Sequence, residues 1–310
     1  MSSRAGCVKP LDQTWPIPAA AQIACLLEAS APKLGNVHPT ASYQDMHFGH
    51  FVASAIAVGQ VFQDVQKLTV GQLVLATAEA TQQRAGCNTN LGTLLLLAPL
   101  AVAASSILSV DHSIDSKKLS QAVGQTLSKL TPADSRDVYA AIRIAKPSGL
   151  GRVQDNDVLA QAPDCLIAAM TQAAQIDAVA RQYTNGFADI FERLLPWLSA
   201  ELQSDSDPLA SIVRLQLRWL AHEPDGLIVR KMGTKSAQEV QQRAAAVHDL
   251  FRQDSPAAAR ELGELDQFLR RESNLRNPGT TADLIACTLF CRLLGCGLSS
   301  LQNGCGGRKP

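Results

Sequence analysis

Apolar residues recur along nearly the whole chain at three- and four-residue spacing, as in Phe48, Phe51, Val52, Ala55, Ile56 and Phe62, which share one stripe of a long segment. Strand-like alternation is nearly absent. Four pairs, Thr131-Pro132, Asp207-Pro208, Ser255-Pro256 and Asn277-Pro278, mark helix starts: a capping side chain precedes a proline whose missing N–H costs nothing in the first turn. The pattern predicts about twelve helices, over 16–31, 44–65, 69–83, 91–106, 116–129, 132–145, 156–173, 175–204, 208–221, 235–252, 256–272 and 279–295. No Pro/Gly/Ser-rich linker divides them. The expected fold class is therefore all-α, a single compact multi-helix domain over 1–297, followed by a flexible, glycine-rich tail over 298–310.

Composition narrows the choice of partners. With 46% apolar and 18% charged residues among 310, the chain is not a disordered one. Lys plus Arg number 28 and Asp plus Glu number 28, so no general basic field is present and no nucleic-acid partner is expected; any polyanion must be met by a local cluster. The eight cysteines form no CxxC pair and fall mostly in apolar helical stretches, which suits buried thiols in a reducing compartment. Residues 1–18 lack the apolar core and cleavage site of a secretory signal, and the longest apolar run, 94–104, is short of a bilayer span and contains Pro99. A cytoplasmic protein without a membrane partner is expected.

Four loops carry more chemistry than a connector needs. Pro32-Lys33-Leu34-Gly35-Asn36-Val37-His38 follows a helix carrying Glu28 and leads to Asp45. Lys33 suits a phosphate, and the acids suit a metal or a proton; the spacing equally fits a glycine-terminated helix with solvated histidines. Asn88-Thr89-Asn90-Leu91-Gly92 opens the most apolar helix, where amide side chains could cap free N–H groups or bind a nucleotide. Lys146-Pro147-Ser148-Gly149-Leu150-Gly151-Arg152 with Asp155 and Asp157 combines glycines, cations and two acids, yet lacks the endings of a Walker loop and the strand of a dinucleotide fingerprint. Finally, Asp225 with Arg230-Lys231-Met232-Gly233, and Asn277-Pro278-Gly279-Thr280-Thr281-Ala282-Asp283, place cations and hydroxyls at helix ends, as phosphate contacts or as plain caps.

Read together, Glu28 with Pro32-Lys33-Leu34-Gly35, Asp45-Met46, Asn88-Thr89 with Gly92, Asp225 with Lys231 and Gly233, and Pro278-Gly279 with Ala282-Asp283-Leu284 resemble the triphosphoribosyl-dephospho-CoA synthase family over nearly the whole chain. Gly35-Asn36-Val37-His38, Asn88-Thr89-Asn90-Leu91-Gly92 and Asn277-Pro278-Gly279-Thr280-Thr281-Ala282-Asp283 are most similar to an archaeal and methanopterin-linked branch. The lyase-associated branch has His-Lys where this chain has Asn90-Leu91, and an acid where it has His38, which leaves room for a different acceptor.

The resemblance implies an all-helical enzyme that displaces adenine from ATP with a ribose hydroxyl of dephospho-CoA. Such a step builds positive charge on the sugar, so carboxylates help, and the triphosphate calls for Mg²⁺ with Lys or Arg. On that basis Asp155 and Asp157, with Asp45 or Glu28, are expected to hold Mg²⁺ or act as base. Lys33, Arg152 and Lys231 are expected to meet phosphates, and Asn88 and Asn90 to orient the nucleotide, while Asn36, His38, Arg230, Thr280, Thr281 and Asp283 complete the substrate-binding set. Other readings stay open: a transferase of tetrahydromethanopterin assembly with a different acceptor, a non-catalytic nucleotide- or CoA-binding protein, and a plain helical interaction protein. The apolar stretch over 284–294 could pair two copies in a homodimer. Asp155→Asn and Asp157→Asn should each abolish turnover and leave the helical circular dichroism unchanged; wild-type rates in both would remove these acids from the chemistry.

Overall fold

The structure is a computed structural model, and it describes residues 13–111, 113–147, 161–205 and 207–298. Its centre is α4 (Leu91–Leu108), which is apolar on every face and buried from Leu94 through Leu97 and on to Ala104. A helix apolar all round must be surrounded, and α1 (Ile17–Ser30), α3 (Val70–Ala85), α5 (Ser116–Ser128) and α14 (Gly279–Gly295) pack against it. Among the described residues α4 alone is long and apolar enough to cross a membrane, and 72% of it is buried inside the fold. Its Pro99 removes the N–H that Leu95 O would accept. The buried Tyr183 hydroxyl of α8 (Ala178–Asn185) replaces it, donating to Leu95 O at 2.6 Å.

Around this centre, α2 (Phe48–Val61) spans α1 and α3, and α6 (Pro132–Ala145) packs on α3. Thr131 and Asp134 close α6 with reciprocal capping bonds, and Asp134 Oδ1 also accepts from Gly71 N at 2.8 Å. A second apolar cluster joins α10 (Pro208–His222), α11 (Gly226–Met232), α12 (Thr234–Arg252) and α13 (Ala258–Asn274) around Leu220, Ile228, Val240 and Leu269. Leu34, from the loop after α1, is inserted into it. The remaining helices are α7 (Leu166–Ala173) and α9 (Leu195–Ser204), so fourteen α-helices and no strand are present among the described residues. The all-α expectation holds.

Some boundaries shift for identifiable reasons. The helix predicted from 44 starts at Phe48, because His38 pairs with Ala41 and Tyr43 N donates to Met46 O, which hold 38–46 in turns. The segment predicted as one helix over 175–204 breaks at Gly186 and Phe187, both at positive φ, and restarts through a π-helical stretch, Asp189–Leu194. That break sets the buried Asp189 where Arg181, Gln182 and Arg193 all donate to it. α11 escapes prediction because seven residues give too short a periodicity. Of the helix start expected over 156–165, residues 156–160 lie outside the described residues and 161–165 are not helical, so the described helix begins at Leu166. Near its end, α13 carries Glu272 and Ser273 in the left-handed region.

Candidate active site

A cavity of about 990 Å³ opens between the end of α1, the 36–46 loop and the first turns of α4 and α14. Two long helices therefore aim their N-termini into it, Asn88 to Thr93 from α4 and Gly279 to Asp283 from α14, and such ends favour anions. One wall is apolar, with Leu95, Ile142, Met170, Ala173, Val179 and Ala180 from four helices. Arg230 and Lys231 of α11 line it as well.

The local fold explains why these side chains meet. Asp225, buried, accepts from Leu227 N at 2.9 Å and Ile228 N at 3.1 Å through one oxygen, and from Thr281 N and Oγ1, both at 2.8 Å, through the other. It thereby caps α11 and ties it to the start of α14. Lys231 Nζ donates to Asn277 Oδ1 at 2.8 Å, and Arg230 pairs with Asp177, the N-cap of α8. Asn277 is neutral, so the Lys231 charge stays uncompensated by that bond. Burial lowers the Lys231 pKa from the usual ammonium value and Arg230 adds to this, while Asp225 and Asp45 oppose it.

Glu28 and Asp283 face the same space from α1 and α14. Lys33, with no exposed surface, bonds Glu28 twice, to Oε1 at 2.7 Å and to the backbone oxygen at 2.5 Å. The Asp283 side chain accepts from Thr93 Oγ1 at 2.7 Å and lies against Gly92, where a Cβ would stand 2.0 Å from Oδ2. Only glycine permits that approach. Asp283 keeps some surface at the cavity wall yet is enclosed deep in the fold. Burial, followed by repulsion from Glu28, Asp177 and Asp225, pushes its carboxyl up to about 8 against the pull of the Thr93 hydrogen bond.

Of the residues singled out in the sequence, Glu28, Asn36, Asp45, Asn88, Asn90, Arg230, Lys231, Thr280 and Asp283 line this one cavity. Three do not. Lys33 lies behind Glu28 as its counter-charge, so it is not placed to meet a phosphate. His38 is buried beside Thr40, 3.2 Å from its hydroxyl, and burial first and then Arg270 lower its pKa. Thr281 gives its N–H and hydroxyl to Asp225. Arg152, Asp155 and Asp157 lie outside the described residues.

The two asparagines at the start of α4 divide their labour. Asn88 Oδ1 accepts from Leu91 N at 3.1 Å, whereas Asn90 makes no capping bond, and its Nδ2, buried at the cavity, has no hydrogen-bond partner. An amide donor left without an acceptor there points to a bound oxygen or nitrogen atom. Asn36 lines the cavity, but its Oδ1 accepts from Gln216 at 2.8 Å. Sequence reasoning missed Asp177, Cys25, Tyr43 and the apolar wall. Asp177 looks like any helix cap, and the others carry no spacing signal. No group of three metal-binding side chains converges among the described residues.

The family model described as ATP:dephospho-CoA triphosphoribosyl transferase (CitG) matches residues 14–301. Among solved structures, the chain is similar to that of a provisionally assigned triphosphoribosyl-dephospho-CoA synthase from Archaeoglobus fulgidus, at 25% identity and a TM-score of 0.61, over 80% of this chain and 98% of that one. No curated protein matches the chain.

The buried ion pair behind the cavity makes a direct prediction. Lys33→Met should cost about 3–5 kcal/mol in urea unfolding by leaving Glu28 without its counter-charge, and adding Glu28→Gln should restore most of the loss. Equal stability of the single and double variants would show that the pair does not hold this junction together.

Proposed function

The chain belongs to the ATP:dephospho-CoA triphosphoribosyl transferase family, and from that premise we propose that it transfers the triphosphoribosyl group of ATP to a hydroxyl of dephospho-CoA and releases adenine. The observation that carries this reading is one cavity that brings together the cations of α11, the N-termini of α4 and α14, and the carboxyls of Glu28 and Asp283. Breaking an N-glycosidic bond puts positive charge on the ribose, which a nearby carboxylate stabilises, as paired carboxyls do in glycoside hydrolysis. Glu28 is the group we assign to that charge and to accepting the proton of the incoming hydroxyl. A volume of about 990 Å³ stands at the upper end of small-molecule sites, which suits a nucleotide and an acceptor together.

Lys231 is assigned to the triphosphate because its charge is not neutralised by Asn277, with Arg230 beside it and the N-termini of α4 and α14 completing the anion field. Asn90 Nδ2 is assigned to a substrate acceptor atom. Two cations cannot balance about four negative charges, so we assign Mg²⁺ to the incoming ATP, with Asp45 at the mouth and Asp155 and Asp157 as its carboxylates. The apolar wall suits the long arm of the acceptor.

A second reading keeps the chemistry and changes the acceptor to one of tetrahydromethanopterin assembly. It is favoured by the position of Asn90 and Leu91 at the cavity, the pair that replaces His-Lys of the lyase-associated branch.

Incubation with ATP and Mg²⁺ against dephospho-CoA, and against a panel of pterin intermediates, separates these readings by mass. We expect free adenine and an acceptor heavier by one triphosphoribosyl group, with Lys231→Met raising the KM for ATP at least about tenfold. Nucleotide binding without adenine release from any acceptor would leave a binding protein instead.

A further inference from the structure

We infer that Asp283 is the catalytic acid that protonates the departing base, an inference that rests on the transferase reading above. Its two oxygens have different surroundings. Oδ1 accepts the Thr93 hydroxyl at 2.7 Å, and Oδ2 lies over the bare backbone of Gly92 at the cavity wall. With Oδ1 occupied as an acceptor, a proton on this carboxyl resides on Oδ2.

The charges facing Asp283 come from every side. From α1 come Glu28, paired with Lys33, and the Cys25 thiol; from the cap of α8 comes Asp177, paired with Arg230; from α11 come Asp225 and Lys231; from α14 itself comes Cys287; and Asp45 lies farther out at the mouth. Lys33 and Arg230 are engaged by other carboxylates and Lys231 is bonded to the neutral Asn277, while four hydrogen bonds hold Asp225. Both thiols are held protonated by burial. Three acidic neighbours and burial leave Asp283 the group that keeps its proton at neutral pH, up to about pH 8. The N-terminus of α4 pulls the other way by under about one pH unit, too little to reverse this. A neutral carboxylic acid inside an apolar site is a donor, and it is ready at pH 7.

The bond from C1′ to the base breaks and its electron pair goes to adenine, which takes the Oδ2 proton on a ring nitrogen and leaves neutral. The acceptor oxygen bonds C1′ and its proton passes to Glu28. Exchange through the cavity returns that proton to Asp283, so none is gained or lost overall.

Two measurements test the assignment. Asp283→Asn keeps the shape and the Thr93 contact but carries no acidic proton. With ATP its rate of base release should fall about 10²- to 10⁴-fold. With an N7-methylated purine nucleoside triphosphate, whose cationic base leaves without protonation, it should stay within about tenfold of wild type, and wild-type kcat/KM on ATP should decline above about pH 8. Equal losses on both triphosphates would overturn the donor role. Infrared difference spectra of wild type against Asp283→Asn at pH 7 should show one protonated carboxyl; an ionised carboxylate would also overturn it. If wild type releases base from neither triphosphate, the transferase reading falls and the donor role with it, while the infrared band still reports the state of the group.

Discussion

Asp225 is the constraint on which the geometry of the cavity depends. One buried carboxylate takes two backbone N–H groups from the first turn of α11 and a backbone N–H plus a hydroxyl from the first turn of α14. Those four bonds fix the α11 cations relative to Asp283, which is distant in sequence but lies on the helix packed against α11. Hydrogen-bond donors rather than a cation satisfy Asp225, so Lys231, bonded to the neutral Asn277, keeps its charge at the cavity, while Arg230 is held by Asp177. Removing this carboxylate would leave four buried donors to find new partners, each at a cost of about 1–3 kcal/mol.

The same economy of charge recurs around the site. A chain with no net charge builds its electrostatics from local pairs, and each pair here also joins two elements. Lys33 with Glu28 locks the loop after α1, and Arg230 with Asp177 joins α11 to α8. Gln216 reads both the backbone and the amide of the 34–36 segment, and Asp266 accepts from Gly35 N, where a left-handed φ and contact with Leu269 admit no side chain. The result is a rigid rim for a polar cavity set against the apolar α4. Pre-set donors and charges of this kind act without reorganising when a substrate arrives.

Much of the helical frame was legible because its signals are local. Thr131 and Asp207 cap the helices their spacing announces, whereas α13 and α14 begin at Ala258 and Gly279 without a side-chain cap from Ser255 or Asn277, and the buried Cys25, Cys287 and Cys291 fill apolar faces as their context suggests. The site was legible as a set of residues and less so as a set of roles. Whether a lysine meets solvent, a ligand or a buried carboxylate depends on what folds over it, and Lys33, with no exposed surface, turns back on Glu28. Asn88 and Asn90 look equivalent in sequence, yet only the backbone path decides which one reaches Leu91 N. The break at Gly186 answers to Asp189, whose partners Arg181, Gln182 and Arg193 are near in sequence but reach it only once the helix is interrupted.

All of this rests on one cavity receiving the nucleotide. A crystal structure with ATP, Mg²⁺ and dephospho-CoA bound tests it most directly. The account predicts the triphosphate against Lys231 and the first turns of α4 and α14, with the ribose between Glu28 and Asp283. A nucleotide seated elsewhere, for instance in the groove of Arg243, Arg260 and Arg271 on α12 and α13, would contradict it.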